Sequence, residues 1–403
     1  MLVKASIRTV LDPPEATRLY SKRIFDQAKA IVILLARKVF HPMPIELETA
    51  ASPSKSAPLL GFWYPAMLAS KIRPGTVQAQ LLLGTPLAIC RDFQQRTFAF
   101  RDMCPHRGMP LSFGRIDGDR LECSYHGWQF DMSGRCRHIP SLVDGATLQT
   151  EKIGVTTYPC EERDGYIWVY LPDGHERDPA LPEVPRLPLL SAHYRLFHIS
   201  SMLRCTIDDG IVGLMDPAHG PFVHQSLWWR SRKSIHEKAK TFEPIPGGFR
   251  MTAHTPSRNS GPYKLLNAYG KQLTTTIDFI LPNLRHELVQ CGSYWVSTRA
   301  TVTPITEHEC RIDFCAAWNC FRWVPFSKTL FRFFARLFLN QDKRIMERQA
   351  VGLRYKPPLM LLDDADTPAK WYYKLKAAHL AASQSGRPMD HPLKGPITLR
   401  WRS

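Results

Sequence analysis

Two short segments of the chain each place a cysteine and a histidine close together, and no other feature restricts the fold more. One residue separates Cys104 from His106, two separate Cys123 from His126, and 16 residues lie between the pairs. Thiolate sulfur and imidazole nitrogen are ligands that transition metals accept readily. Two loops can share one metal centre only if a rigid scaffold holds them side by side. The spacing C-x-H-x16-C-x2-H therefore predicts a small domain built around a metal.

The pairing of the ligands separates two kinds of centre. Zinc sites typically combine a C-x2–4-C pair with an H-x3–5-H pair, whereas here each loop offers one cysteine and one histidine. In a Rieske [2Fe–2S] centre, two cysteines hold one iron and two histidines hold the other. The pattern favours the iron–sulfur cluster over zinc, and over unliganded buried side chains. Gly108 and Gly127 allow the backbone to approach the cluster sulfurs.

Changes in residue composition and pattern along the sequence divide the chain into three parts. Residues 58–175 contain short β-rich runs and are expected to form a small antiparallel β domain. A Pro-rich segment follows, and residues 190–403 mix strand-like runs with helical stretches, as in an α+β domain. Turns are predicted at Gly84-Thr85, Asp117-Gly118 and Ser133-Gly134.

Residues 1–57 form a basic N-terminal extension that ends in a Pro/Ser-rich linker. Residues 15–40 have the spacing of a basic amphipathic helix. Such a helix could dock on the body of the protein or on another subunit; peripheral contact with a membrane surface is the alternative. The apolar run over residues 28–36 is well short of the ~20 residues that a spanning helix requires.

The chain carries a net charge of +17, which suits an acidic partner such as nucleic acid, an anionic membrane or an acidic electron-transfer protein. No nucleic-acid-binding signature is present and the basic residues are scattered, so we expect no nucleic-acid partner. The 10 cysteines are dispersed and no signal peptide precedes them. This usage predicts reduced thiols and a cytoplasmic location.

The segments CPHRG from Cys104 and CSYHGW from Cys123 resemble the Rieske loops of the ring-hydroxylating oxygenases. Respiratory Rieske proteins carry an additional cysteine in each loop, where this chain has Met109 and Ser124. The resemblance implies a small antiparallel β Rieske domain followed by a larger α+β, helix-grip-like catalytic domain. It also implies that Cys104, His106, Cys123 and His126 hold the [2Fe–2S] cluster.

A second motif, DPAHGPFVH, occupies residues 216–224. Two histidines and a distant carboxylate form the facial triad of Fe(II) oxygenases. Five residues turn a regular helix by about 500°, which separates His219 from His224, but Gly220-Pro221 can break the helix between them. The segment resembles the D-x2-H-x4-H motif of the same family. The resemblance implies that His219 and His224 bind iron and that Asp216 bridges to a Rieske histidine of the neighbouring subunit.

The third iron ligand should be a later carboxylate, and the resemblance selects Asp342. We expect the Gln-Asp pair at this position to precede a helix. Glu347 and Asp363 are weaker candidates for the same role. The alternative for Asp342 is an exposed, solvated helical aspartate.

One departure from the family pattern lies upstream of Asp216. Family members often carry Asn or a carboxylate three or four residues before this aspartate, where the chain has Gly213 and Val212. Asp208 and Asp209 lie farther upstream. The motif therefore does not predict which polar side chains surround the iron ligands.

Taken with the resemblance, these motifs predict a terminal oxygenase that uses Fe(II) and O2 to hydroxylate or demethylate a hydrophobic, aromatic or polycyclic substrate. No GxGxxG fingerprint is present, so electrons should come from a ferredoxin, an NAD(P)H-dependent reductase or both. The resemblance implies a head-to-tail homotrimer. The alternative function is a Rieske-type electron-transfer protein that has no catalytic iron.

Overall fold

The computed structural model of the chain describes residues 58–174, 181–188, 193–225, 232–256, 266, 272–321, 324 and 326–403. The predicted helix over residues 15–40, and the linker after it, lie outside these residues. Among the described residues, no helix is both long enough and apolar enough to cross a membrane.

Residues 62–171 form short antiparallel strands, as predicted. They are β1 (Phe62–Leu68), β2 (Thr76–Leu82), β3 (Thr85–Arg91), β4 (Thr97–Arg101), β5 (Arg115–Asp117), β6 (Arg120–Glu122), β7 (Gln129–Asp131), β8 (Cys136–His138), β9 (Thr157–Tyr158), β10 (Cys160–Arg163) and β11 (Tyr166–Leu171). The strands pair in the orders β1-β11-β10, β2-β3-β4-β9 and β5-β6-β7-β8.

The hairpin predicted at Gly84-Thr85 joins β2 to β3, but its turn lies one residue earlier, because Thr85 already pairs with Leu82. Its two turn residues, Leu83 and Gly84, both have left-handed backbone angles, with φ of 52° and 71°. This conformation matches the right-handed twist of the flanking strands. The predicted turns at Asp117-Gly118 and Ser133-Gly134 likewise join β5 to β6 and β7 to β8.

The C-terminal part is an α+β fold, as predicted. Its strands are β12 (Arg195–Leu203), β13 (Glu237–Ile245), β14 (Gly248–His254), β15 (Leu273–Ile280), β16 (Leu284–Cys291), β17 (Tyr294–Pro304), β18 (Cys310–Trp318) and β19 (Ile397–Arg402), and its helices are α1 (Ile207–Met215), α2 (Gly220–Val223), α3 (Ser327–Leu353) and α4 (Thr367–Ser385). The strands form one antiparallel sheet in the order β12-β18-β17-β16-β15-β14-β13-β19. Apolar side chains of α1, α3 and α4 share one buried core with this sheet.

Two features of the C-terminal part differ from the predictions. The Gln341-Asp342 pair lies well inside α3 and does not precede a helix, because α3 already begins at Ser327. Helix α4 was not predicted. Its buried face includes Lys376, whose ammonium lies 2.8 Å from an Asp208 carboxylate oxygen, so this face is not uniformly apolar.

Helix α1 lies directly against β17. Its N-cap is Thr206, whose hydroxyl accepts a hydrogen bond from the Asp209 N–H at 3.3 Å. A Cβ added to Gly210 would lie only 2.8 Å from a Val302 side-chain carbon of β17, which a real Cβ does not approach. Glycine at this position therefore permits the close contact. The helix ends at Met215, and Asp216 is its C-cap.

A buried ion pair joins the two parts of the chain. Arg299 of β17 is 2% exposed, and its Nη1 lies 2.8 Å from Oδ2 of Asp164 in the β10–β11 turn. The guanidinium also lies 4.8 Å from the centroid of the Trp168 ring and donates to the Pro185 carbonyl. The β2–β3 turn donates two further backbone hydrogen bonds to the end of β17 and the residue after it.

This pair makes a stability prediction. Arg299→Met should lower the free energy of unfolding by about 3–5 kcal/mol, because it leaves the Asp164 carboxylate buried without its cation. The matched control is Arg400→Met, which removes an exposed pair with Glu237 at 3.6 Å and should change stability by less than about 1 kcal/mol. Urea unfolding followed by circular dichroism measures both. Equal effects of the two substitutions would contradict the assigned role of Arg299.

Candidate functional site

The two Cys/His loops share one backbone conformation. In the first, the Gly108 N–H donates to the Cys104 carbonyl at 2.9 Å; in the second, the Gly127 N–H donates to the Cys123 carbonyl at 3.0 Å. Both glycines have a φ of +68°, in the left-handed region that favours glycine. The chain therefore presents two equivalent turns, one after β4 and one after β6.

The thiols of these loops are buried, and they lie together. Cys104 and Cys123 are each 2% exposed. Burial, together with the neighbouring Cys123 thiol, raises the pKa of Cys104 to about 11. Burial disfavours the thiolate forms, and a bound cation would stabilise them, so two neighbouring buried thiols can serve as a pair of metal ligands.

The imidazoles of the same loops also lie side by side. The ring centroids of His106 and His126 are 4.4 Å apart, and His106 stacks on Trp128 at 4.6 Å. Partial desolvation, and then the nearby His106 and Arg107, lower the pKa of His126, which favours the neutral ring that a metal requires. Nδ1 of His106 is buried and accepts or donates no hydrogen bond within the described residues. Buried polar atoms are rarely left without a partner. The donor set therefore fits a Rieske cluster.

The second predicted site lies around α2. His219 and His224 flank this four-residue helix as its N-cap and C-cap, and Pro221 lies in its first turn. Because the helix is so short, the two rings converge: their Nε2 atoms are 3.1 Å apart. The break predicted at Gly220-Pro221 is thus realised as a very short helix with a histidine at each end.

Asp342 of α3 completes this cluster. Its Oδ1 lies 3.1 Å from Nε2 of His224 and 3.7 Å from Nε2 of His219. Ligands at right angles on an octahedral metal, each about 2.1 Å from it, are about 3 Å apart. The three donor atoms therefore have the separations that one shared metal ion requires, and two imidazoles with one carboxylate fit Fe(II).

His224 is held rigidly within this cluster. Its side chain is 3% exposed, and its ring stacks on Phe338 of α3 at 3.5 Å between centroids. Nδ1 of His224 lies 3.0 Å from Oε1 of Gln341. An amide oxygen can only accept, so Nδ1 carries the proton and Nε2 keeps its lone pair for the cluster.

Asp216 follows α1 and lies beside His219. Its Oδ1 accepts a hydrogen bond from the Ala218 N–H at 2.6 Å, and its Oδ2 lies 3.5 Å from Nδ1 of His219. Burial alone would raise the pKa of Asp216, but the contacts with His219 and the backbone N–H groups outweigh it and lower the pKa. Burial opposes protonation of His219, whereas Asp216 and then Asp342 raise its pKa above the ordinary value.

The structure brings the sequence-predicted residues together at two places. Cys104, His106, Cys123 and His126 meet at the first, and His219, His224 and Asp342 meet at the second, beside Asp216. Neither weaker carboxylate candidate belongs to the second cluster, since Glu347 pairs with Lys343 and the exposed Asp363 pairs with Lys370.

Sequence reasoning assigned no role to Phe338 or Gln341. Helical spacing could have revealed Phe338, because it lies four residues before Asp342 and so shares a face with it. Gln341 is adjacent to Asp342 in the sequence, and no such spacing signals its role. The departure at Gly213 has a packing explanation, because a Cβ there would come within 2.8 Å of the Met346 side chain of α3.

Family models of known proteins match both parts of the chain. Residues 62–159 match the family model of the Rieske [2Fe-2S] domain, and residues 213–371 match that of the vanillate O-demethylase oxygenase C-terminal domain. Chlorophyllide a oxygenase of Chlamydomonas reinhardtii is 35% identical over 43% of this chain and 25% of its own length. The vanillate O-demethylase oxygenase subunit of a Pseudomonas species is 37% identical over 35% of this chain and 41% of its own length.

A solved structure shares the fold over most of the chain. Pseudomonas putida NdmA with caffeine aligns with a TM-score of 0.67 at 22% identity, covering 84% of this chain and 96% of that one. By sequence, the chain spans between 25% and 60% of the length of the curated relatives that it matches first.

The contact between Gln341 and His224 makes a prediction about metal affinity. Gln341→Leu removes the acceptor that fixes the His224 tautomer, so the affinity of the cluster for Fe(II) should fall by about 10–100-fold. Competition with a coloured chelator measures it. Gln349→Leu is the control, because it makes the same change at an exposed position of α3. Equal affinities in the two variants would remove Gln341 from this role.

Proposed function

We propose that this chain, which belongs to the Rieske non-haem iron oxygenases, is the terminal oxygenase of an electron-transfer system. Members of the family use a [2Fe–2S] cluster, a mononuclear iron and O2. We assign residues 58–175 to the Rieske domain and residues 190–403 to the catalytic domain, after an N-terminal extension over residues 1–57. The division rests on the change from small β-sheets to one large sheet with helices.

The observation that carries the proposal is the convergence of His219, His224 and Asp342. A domain that only carried electrons would have no use for a second set of metal ligands. The three donor atoms lie within 4.8 Å of one another, although the histidines flank α2 and the carboxylate belongs to α3. We therefore favour the oxygenase over the electron-transfer alternative.

The residues of the two sites have distinct roles in this proposal. Cys104 and Cys123 would hold one iron of the cluster, and His106 and His126 the other. His219, His224 and Asp342 would hold the mononuclear iron. When bound, these groups supply electrons and activate O2 for hydroxylation or oxidative demethylation. Asp342 would contribute negative charge to the ligand set, which lowers the net charge of the site.

Asp216 would connect the two sites between subunits. Its side chain is 33% exposed, so a group from outside the chain can reach the carboxylate that already faces His219. We propose that this group is His106 or His126 of a neighbouring copy in a head-to-tail homotrimer. A cyclic arrangement of three chains gives every Asp216 such a neighbour. Both imidazoles are half-buried, so part of each ring faces solvent.

The electron donor would be an acidic ferredoxin, a reductase or both. The chain has a net charge of +17, and complementary charge speeds the encounter of such partners. The cytoplasmic location stays a prediction, since relatives include chlorophyllide a oxygenase, which is described as chloroplastic.

The substrate would be a hydrophobic molecule that contains a ring. The relatives are named for vanillate and chlorophyllide, and the structure of NdmA contains caffeine. Two aromatic side chains of the C-terminal part of the chain differ in exposure. Trp318 is buried in the core, whereas Phe222, between the two histidines, is 53% exposed and available to a ligand.

Metal content and oxygen uptake test the function. Anaerobically purified protein should contain about three irons per chain, whereas an electron carrier would contain about two. Substrate-dependent oxygen uptake should appear in a screen of aromatic and polycyclic compounds with a surrogate ferredoxin and reductase.

His224→Ala should lose about one iron and all uptake but keep the visible chromophore, because the cluster has separate ligands. Cys123→Ser should lose the chromophore. Two irons per chain in the wild type, without oxygen uptake, would favour the electron-transfer alternative over the oxygenase.

The bridging role of Asp216 makes a kinetic prediction. Asp216→Asn keeps the shape of the side chain and removes its charge, so both metals should be retained while cluster oxidation in a single turnover slows by orders of magnitude. Stopped-flow absorbance of the reduced protein with substrate and O2 measures this rate. Asp390→Asn, which removes an exposed carboxylate paired with Lys394, is the control. A wild-type rate in Asp216→Asn would show that no electron passes by way of this residue.

A further inference from the structure

The first half of α3 carries large apolar side chains that face water. Phe333 and Phe334 are 49% and 54% exposed, and Phe326, at the N-cap, is 83% exposed. The members recur at intervals of three and four residues, which places them along one side of the helix. The set, called here the outer face of α3, consists of Phe326, Leu330, Phe333, Phe334 and Leu337.

The outer face is separate from the side of α3 that packs against the core. Phe331 and Ala335 pack against the buried residues of the domain, and Leu339 is one of those residues. Phe338 stacks on His224. Other side chains of α3 thus make the contact with the core. Single apolar residues scattered over a surface are ordinary, but five on one side of a helix form a patch that needs an explanation.

Cations flank the outer face. Lys328, Arg332 and Arg336 are exposed and spaced four residues apart, so they form a stripe along α3. Residues 327–341 contain no aspartate or glutamate. None of the three cations makes an ion pair within the part of the chain that the structure describes. The half-helix therefore combines an apolar face with unneutralised positive charge.

We propose that the outer face of α3 docks on the surface of an anionic lipid membrane. Helices that lie in the membrane interface combine large apolar residues on one face with Lys and Arg beside them. Phenylalanine and leucine side chains enter the boundary between headgroups and acyl chains, while arginines keep their charge at the headgroups. Docking would lay the first half of α3 along the bilayer surface.

Two other occupants fit the surface less well. A second copy of this chain, which also carries a net charge of +17, meets an acidic residue at the trimer contact proposed at Asp216, but at the outer face it would meet only the cations of the stripe. An acidic ferredoxin would suit the charge, but electron-transfer contacts are small and must lie near the cluster loops, which belong to the β domain. Five large apolar side chains exceed what such a contact uses.

Membrane docking does not depend on the proposed function, but its consequence for access of the substrate does. Leu337 precedes Asp342 by little more than one helical turn. If the cluster of His219, His224 and Asp342 is the oxygenase site, docking would hold it close to the bilayer, where apolar ring compounds concentrate.

Sedimentation of the full chain with vesicles tests the proposal. The probes are phosphatidylcholine vesicles alone and vesicles that contain about one third phosphatidylglycerol. The wild type should bind the anionic vesicles, and salt should weaken the binding. Phe333→Ser with Leu337→Ser should weaken it by about tenfold or more, because the inserted apolar area is lost. Arg332→Gln with Arg336→Gln should weaken it by about thirtyfold on anionic vesicles only, since each cation near such a surface contributes about 1 kcal/mol.

Val143→Ser with Leu148→Ser is the matched control. It removes two similarly exposed apolar side chains from the β domain and should leave vesicle binding unchanged. The N-terminal extension is present in every variant, so any binding through residues 1–57 cancels in the comparison. The visible chromophore and the thermal midpoint check folding. Phe326→Ser, at the most exposed position of the face, serves as a second variant if the double substitution does not fold.

Three outcomes would overturn the proposal. If the outer-face variants bind vesicles as well as the wild type does, the outer face of α3 is not the membrane-binding surface. A lower molar mass of these variants by light scattering, with unchanged vesicle binding, would make the face a contact between copies of the chain. Slower reduction of the cluster by an acidic ferredoxin, again with unchanged vesicle binding, would make it the docking site of the electron donor.

Discussion

The metal cluster of the C-terminal domain depends on one constraint: α1 and α3 must hold fixed positions against the large sheet. The histidines follow α1, and the carboxylate lies within α3, so a shift of either helix would separate the donor atoms. Gly210 lets α1 contact β17 directly, and Gly213 lets it approach Met346 of α3. The apolar core shared by the sheet and the helices stabilises this arrangement, whereas each hydrogen bond within the cluster contributes far less on its own.

The ion pair between Arg299 and Asp164 extends this constraint to the β domain. Asp164 lies in the turn that leads into β11, and β11 pairs with β1, where the small domain begins. Arg299 lies in β17, the strand against which α1 rests. The sheet therefore serves as a common support, with α1 packed on it and the small domain held to it by a buried cation.

The sequence predicted most of both sites, because their chemistry depends on local spacing. The Cys/His loops are two turns of five residues each, and a glycine at the end of each is readable in the sequence. The α+β class followed from the mixture of strand-like runs and helical stretches over residues 190–403. Asp342 is different, since only tertiary packing brings it to His219 and His224, and it was found through family resemblance. Gln341 was missed because its contact with His224 joins two helices and leaves no local pattern, and Phe338 was missed although it lies four residues before Asp342. Helix α4 was missed because Lys376 interrupts its apolar face.

The burial of the two cysteines contrasts with the exposure around the histidines of the same loops. Cys104 and Cys123 face the core of the β domain, where each is 2% exposed, while Tyr125 beside His126 lies at the surface. Oxidation of cysteine to sulfenic and sulfinic acids requires access to the sulfur. An oxygenase that releases partially reduced oxygen would expose its own ligands to damage. Here an oxidant that diffuses in from solvent reaches the half-buried His126 ring before the buried thiols. Burial therefore protects the two sulfurs from that oxidation ladder.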